Sequence, residues 1–188
     1  MLKSGLLSDR IQVVDNFLPQ PLFDQIQAEV GSANFPWFYN SSNIYGSNSR
    51  FIDADADVPY QFTHTLYHED SGGPNSSAFE MFDPVFNLLG VKELHRAKLN
   101  LGPQTSNHVR GGFHYDVMVS DDSFDIMFAD WYIGLLYFNS NNGYTEFDDG
   151  ETVTSVANRL VRFPASRLHT GVSQTDTQVR VVLNVLFK

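Results

Sequence analysis

The chain has 188 residues and a formal net charge of −10, with 12 Lys and Arg against 22 Asp and Glu. This length fits one domain, and 16 Phe with 8 Tyr can build a core without covalent staples. The lack of cysteine excludes disulfides, thiolate zinc sites, iron–sulfur clusters and cysteine nucleophiles, and the acidic balance repels a phosphate backbone, so no nucleic-acid partner is expected.

No apolar run approaches about 18 residues, and the N-terminus carries no signal-peptide pattern. The expectation is a soluble, cytoplasmic protein with no membrane partner. Ile11–Asp15 reads as a short strand, and Leu18-Pro19-Gln20-Pro21 leads into a helix over Leu22–Val30, where Leu22, Phe23, Ile26 and Val30 form one apolar stripe. Residues 34–76 read mostly as loop with short strands between turn residues. They hold the aromatic run Phe35–Tyr39, an acidic patch at Asp53, Asp55 and Asp57, and an extended stretch from Gln61 to His68. His64 and His68 have ligand spacing only on a helix, and Thr63 and Thr65 favour a strand, so this pair is not expected to bind metal.

Ala78–Leu89 reads as a second helix ended by Gly90, with Pro84 either splitting it or marking its true start. Strands are then expected at Leu94–Leu99, Val109–Val117, Trp131–Phe138, Tyr144–Phe147, Thr152–Val156, Arg159–Phe163 and Gln178–Phe187. Helices first and strands after predict a mainly β protein with flanking helices, an antiparallel sandwich or barrel. The whole chain reads as a single domain, with a helical support over about 1–93 and a barrel over about 94–188.

Within that barrel, His114 and Asp116 stand two apart in an extended stretch, so both side chains share a face while Phe113 and Tyr115 turn away. His169 is the best candidate for a third ligand. Two imidazoles and one carboxylate suit a non-heme ferrous oxygenase with open coordination positions, and a zinc hydrolase can use the same set. Arg180 needs its own account. In the last strand it shares a face with Val182, Asn184 and Leu186, and the opposite face is apolar, so the strand is central and the arginine partly buried. A guanidinium there fits the carboxylate of a co-substrate, or else a structural salt bridge.

The run from His114 to Phe187 resembles the catalytic core of the iron(II)- and 2-oxoglutarate-dependent dioxygenases, nearest to the prolyl-hydroxylase-like branch and its small phage and bacterial relatives. The matching pieces are His114-Tyr115-Asp116, Leu136-Tyr137-Phe138-Asn139, Gly143 to Phe147, Asn158 to Pro164, His169-Thr170-Gly171, and Arg180 with Val181 to Asn184. His114 to His169 spans 55 positions and His169 to Arg180 spans 11, in the family's order of histidine, acid, distal histidine and basic residue.

The resemblance implies a double-stranded β-helix, or jelly roll, in which His114, Asp116 and His169 hold Fe(II) and Arg180 binds the distal carboxylate of 2-oxoglutarate. It implies that Tyr137 donates its hydroxyl to that carboxylate or else packs in the core, that Thr170 helps place the co-substrate, and that Asn158-Arg159 shapes a turn. Dioxygen is the other co-substrate, ascorbate an optional reactivating reductant, and hydroxylation of a C–H bond in a peptide, prolyl peptides included, or in a small polar molecule the implied outcome. The cell would be the protein's own host or a virus-infected one, and the oligomeric state is left open.

The chain departs from its nearest prolyl hydroxylases at Tyr144 and Thr145, where paired glycines are usual, at Arg180, which replaces a lysine, and in the acidic segment Val117–Ala129. Phe35–Tyr39 and the segment with Asp121, Asp122 and Asp125 are candidates for the substrate rim, and an acidic rim would favour a basic substrate. The alternatives are another jelly-roll metalloenzyme, a zinc or manganese hydrolase or a cupin-like enzyme, and a non-enzymatic binding or virion-associated module.

Overall fold

Strand β11 (Val179–Phe187) holds the fold together because it pairs on both edges, along its nine residues with β5 (Leu94–Pro103) and over Val182–Phe187 with β6 (Tyr132–Tyr137). A computed structural model describes residues 10–41, 60–116 and 130–188, which leaves the acids at 53, 55, 57, 121, 122 and 125 outside the described residues. The remaining elements are β1 (Gln12–Val14), α1 (Gln20–Val30), β2 (Phe38–Asn40), β3 (Gln61–His68), β4 (Gly73–Pro74), α2 (Asp83–Leu89), β7 (Tyr144–Phe147), β8 (Thr152–Thr154), β9 (Leu160–Pro164) and β10 (His169–Val172).

Two antiparallel sheets result. The large one has the order β1-β9-β6-β11-β5-β3-β2 with β4 on β3, and the small one has the order β10-β7-β8. No described helix is long and apolar enough to cross a membrane. Alternation along the strands sorts the core into two layers. Leu183, Val185 and Phe187 face outward onto Phe23, Ile26, Phe82 and Leu89 of the helical layer. Val182 and Leu186 face inward, with Ile133, Leu135, Phe147 and Phe163 between the two sheets. This is the jelly-roll arrangement.

The helices form where the apolar spacing predicts them. Phe23, Ile26 and Val30 are the buried stripe of α1, with Pro21 in its first turn. The segment read as one helix from Ala78 is instead a 3-10 turn at Phe79–Phe82 followed by α2, whose first turn contains Pro84. A proline has no N–H to donate back, so the regular helix starts there, and Gly90 closes it in the left-handed region at φ 74°.

Two other expectations change. Val109–Val117 is not a regular strand over its described part: it touches β10 through isolated bridges at Arg110–Val172 and His114–His169. The consecutive Gly111 and Gly112 weaken any ladder there. β3 is a full eight-residue strand of the large sheet, so residues before 93 build sheet as well as helical support.

Asn158 does shape a turn. It sits at φ 61°, and its side chain accepts from Leu18 N–H and donates to Leu18 C=O, both at 2.9 Å. Arg159 beside it pairs with Asp15 at 2.6 Å. Asn158→Leu removes two buried bonds and forces a bulky side chain into a left-handed backbone. We expect a loss of about 2–4 kcal/mol in urea unfolding.

Candidate active site

The bridge between His114 and His169 builds the site. His114 N–H donates to His169 C=O at 3.0 Å and the reciprocal bond is 3.3 Å, which sets the two rings 4.8 Å apart. Asp116, two residues on, returns to the same side, and the ligand atoms of His114, Asp116 and His169 all lie within 4.8 Å of one another. These are the three residues singled out from the sequence.

Neighbouring groups fix how each would bind. His114 Nδ1 lies 2.9 Å from Gly112 C=O and His169 Nδ1 lies 3.2 Å from Arg167 C=O. A carbonyl only accepts, so each Nδ1 carries a proton, which leaves Nε2 as the nitrogen that would take a cation. Asp116 Oδ1 accepts from Arg96 at 2.7 Å and Oδ2 from Asn184 at 2.7 Å. Burial alone would raise the Asp116 pKa, but the Arg96 charge and the His169 contact outweigh it and hold the carboxyl well below its usual range. Burial, with His169 nearby, pushes His114 down to about 4. The cluster thus offers one carboxylate and two imidazoles, and this donor set fits a divalent cation of the ferrous type.

Two expectations follow. Arg96→Met leaves the ligands in place but frees the carboxylate, and metal affinity is expected to fall roughly 10- to 100-fold in a chelator competition. In metal-free protein, unfolding lets His114 recover a pKa near 6.5, so the unfolded state binds more protons between that value and about 4. Stability is therefore present above about 6.5 and lost on acidification through that window, by roughly 3 kcal/mol if His114 acts alone. His114→Gln should flatten that part of the stability–pH curve.

Arg180 lies at the other end of the same cavity, whose volume is about 150 Å³. Its Nε donates to Ser155 Oγ at 2.7 Å and its Nη2 to Thr145 Oγ1 at 3.3 Å. Burial lowers its pKa, opposed by Tyr137, and no carboxylate among the described residues faces it. Gly143 makes room: a Cβ there would stand 3.0 Å from Arg180 Cδ and 2.9 Å from Val172 C=O.

Tyr137 is fully buried under the guanidinium, 5.3 Å from ring centre to Cζ, and its hydroxyl lies 2.8 Å from Thr145 Oγ1. Burial raises its pKa, so it stays protonated. Tyr137 packs in the core, and its hydroxyl reaches Arg180 through Thr145. Thr145 lines the cavity itself, as does the buried Thr170.

The aromatic run offered as a substrate rim does not line the cavity. Among the described residues, Phe35–Tyr39 contributes nothing to the cavity wall: Phe35 packs against Trp37 and His64, while Phe38 and Tyr39 are 61% and 65% exposed on edge strand β2. His64 is buried between Pro36 C=O and Ser76 Oγ, each at 2.7 Å, and His68 faces Asp70, so these imidazoles do not converge.

Sequence reading missed Arg96, Lys98, Asn100, Asn184, Thr145 and Ser155. The alternation of β5 carried a signal, since Arg96, Lys98 and Asn100 fall on one face of an otherwise apolar strand. Burial brings Lys98 down to about 8, with Arg96 adding to the effect and Asp116 opposing it, so the amine stays largely charged at neutral pH.

No protein-family model and no curated protein sequence matches the chain. Solved structures do. A prolyl-4-hydroxylase from Pseudomonas putida superposes with a TM-score of 0.61 at 16% identity, covering 97% of this chain and 94% of that one. SnoN, a non-heme α-ketoglutarate-dependent epimerase of nogalamycin biosynthesis, gives 0.60 at 13% identity over 95% of this chain and 78% of its own. A 2OG-Fe(II) oxygenase family protein from Burkholderia pseudomallei gives 0.55 at 8% identity over 94% and 84%. The chain has the jelly-roll fold of these 2-oxoglutarate and Fe(II) oxygenases, and it carries a His-Asp-His triad within that fold.

Proposed function

We propose that the chain is a non-heme Fe(II)- and 2-oxoglutarate-dependent dioxygenase that hydroxylates a C–H bond of a peptide or a small polar molecule. The observation that carries this reading is the pairing of two features in one cavity. A three-ligand cluster stands at one end and a guanidinium that faces no described carboxylate at the other. A zinc or manganese hydrolase would need the cluster but leaves Arg180 without a purpose. A binding module leaves both unexplained.

With iron bound, the site would couple oxidation of one substrate C–H bond to conversion of 2-oxoglutarate and dioxygen into succinate and carbon dioxide. The chain's own residues supply the setting. His114, Asp116 and His169 would hold the metal, with Gly112, Arg167, Arg96 and Asn184 fixing their orientation and charge. Arg180 would clamp the distal carboxylate of the co-substrate, steadied by Ser155 and Thr145, with Tyr137 behind. Leu135 and Val182 form an apolar part of the cavity wall and would exclude water there. Nothing in this geometry supports a role for ascorbate.

The test is stoichiometry. Fe(II)-loaded protein should release one succinate per 2-oxoglutarate consumed, and the flux should need both oxygen and iron. Hydrolase activity with Zn(II), and no succinate with Fe(II), would count against the reading.

A further inference from the structure

The inner face of the large sheet is apolar under β6 and β9 but polar beyond β11. In register, Asn184 stands opposite Lys98 and Val182 opposite Asn100, and on the next strand Thr65 and Thr63 continue the same rows. Partners in register share a face, so Lys98 and Asn100 look into the cavity, and both line it together with Tyr60 and Gln61. Lys98 is buried, at 8% exposure, and so is Gln61. This strip lies one and two strands away from Arg180 on β11, beside the line from Arg180 to the metal ligands.

Among the described residues, three charged side chains line the cavity: Lys98, Asp116 and Arg180. Asp116 is already clamped by Arg96 and Asn184, and Arg180 answers one end of the co-substrate. Among the described residues, the cavity wall thus carries two cations and one carboxylate, in a chain of net charge −10. Asn100 adds a second requirement, because its Oδ1 is a buried acceptor without a hydrogen-bond partner among the described residues. Such an atom calls for a donor. The 2-oxoglutarate dianion has only acceptors and cannot provide one.

We infer that the primary substrate is a small carboxylic acid with an N–H or O–H donor close to its carboxylate, as in a free amino acid. Lys98 receives the carboxylate and Asn100 Oδ1 accepts the donor. This rests on the dioxygenase reading and narrows its substrate class, away from basic peptides and towards compact anions. Lys98 and Asn100 sit two residues apart on one strand, about 7 Å between Cα atoms, a span that a flexible lysine and an amide can close around one small molecule.

The test uses full-length protein loaded anaerobically with Fe(II) and 2-oxoglutarate, titrated with the common free amino acids and with their carboxamides. Perturbation of the visible metal-to-ligand band is one readout. Calorimetry on the Zn(II)- and 2-oxoglutarate-loaded protein is the other. At least one free acid should bind, and its carboxamide should bind about tenfold weaker or worse. Lys98→Met should weaken the acid by roughly 10- to 100-fold and erase the acid-over-amide preference, and Lys98→Arg should restore part of it. Asn100→Leu should weaken acid and amide alike. The 2-oxoglutarate affinity of Lys98→Met should stay within about threefold of the parent, well short of the loss expected on removing a buried charge partner.

Binding by no free acid, equal binding of acid and amide, or a preference that survives Lys98→Met would overturn the inference. So would a loss of 2-oxoglutarate affinity in Lys98→Met, which would place the lysine on the co-substrate. Failure of the underlying dioxygenase reading looks different: the parent protein would form no visible band before any amino acid is added.

Discussion

Arg180→Met is expected to raise the dissociation constant for 2-oxoglutarate by roughly 30- to 5,000-fold, the range of 2–5 kcal/mol seen when one partner of a buried charge pair is removed. The reason is geometric. Arg180 is held by Ser155 and Thr145, which are neutral, and no carboxylate among the described residues balances its charge. The same substitution should leave the ligand-free protein as stable as before or raise its Tm, because a buried guanidinium without a carboxylate costs more than a methionine of similar volume. A structural salt-bridge role predicts the opposite pair of results, a lower Tm and unchanged co-substrate affinity. Binding titration and thermal melts of one variant therefore separate the two accounts.

Asp116→Ala is expected to lower Fe(II) affinity by more than about 100-fold, since outer hydrogen-bond partners alone are worth roughly 10- to 100-fold at such sites. Asp116 is the one anion in the cluster. Its loss also strands Arg96, whose side chain is only 15% exposed, so the metal-free protein should lose about 3–5 kcal/mol. Asp116→Asn separates the two effects: it keeps the shape and an acceptor for Arg96 and removes the ligand's charge. Metal content after desalting, read beside urea unfolding, would show affinity falling in both variants and stability falling mainly in Asp116→Ala.

Much of the site was legible along the chain because strand periodicity is local. The two-residue step from His114 to Asp116 places both on one side, and the alternation from Val179 to Phe187 showed that Arg180 shares a face with Asn184 in a central strand. His169 entered by order and resemblance. What could not be read was pairing across the chain. Arg96 clamps Asp116 because β5 lies against β11 in one register, and Ser155 reaches Arg180 across 25 positions of sequence. No pattern within a strand encodes such a register.

The fold shows the same division. Helix α1 follows from its apolar stripe, and β6 from a continuous buried run. Strand β10 was not anticipated, because His169-Thr170-Gly171-Val172 has neither alternation nor an apolar run and owes its extended form to pairing with β7. The stretch holding His114 looked like a strand by composition, yet it keeps only isolated bridges. Thr145 stands out in the sequence only as a departure from the prolyl hydroxylases it resembles, and its hydroxyl links Arg180 to Tyr137.

One cavity holds the His-Asp-His cluster and the Arg180 guanidinium, which we propose serve Fe(II) and a single 2-oxoglutarate. The most direct measurement is anaerobic titration of the protein with Fe(II) and then 2-oxoglutarate, followed in the visible region. The account predicts a weak metal-to-ligand charge-transfer band that saturates with one equivalent of each, is absent in Asp116→Ala and needs far more 2-oxoglutarate in Arg180→Met. A folded, iron-loaded protein that develops no band at saturating 2-oxoglutarate would contradict it.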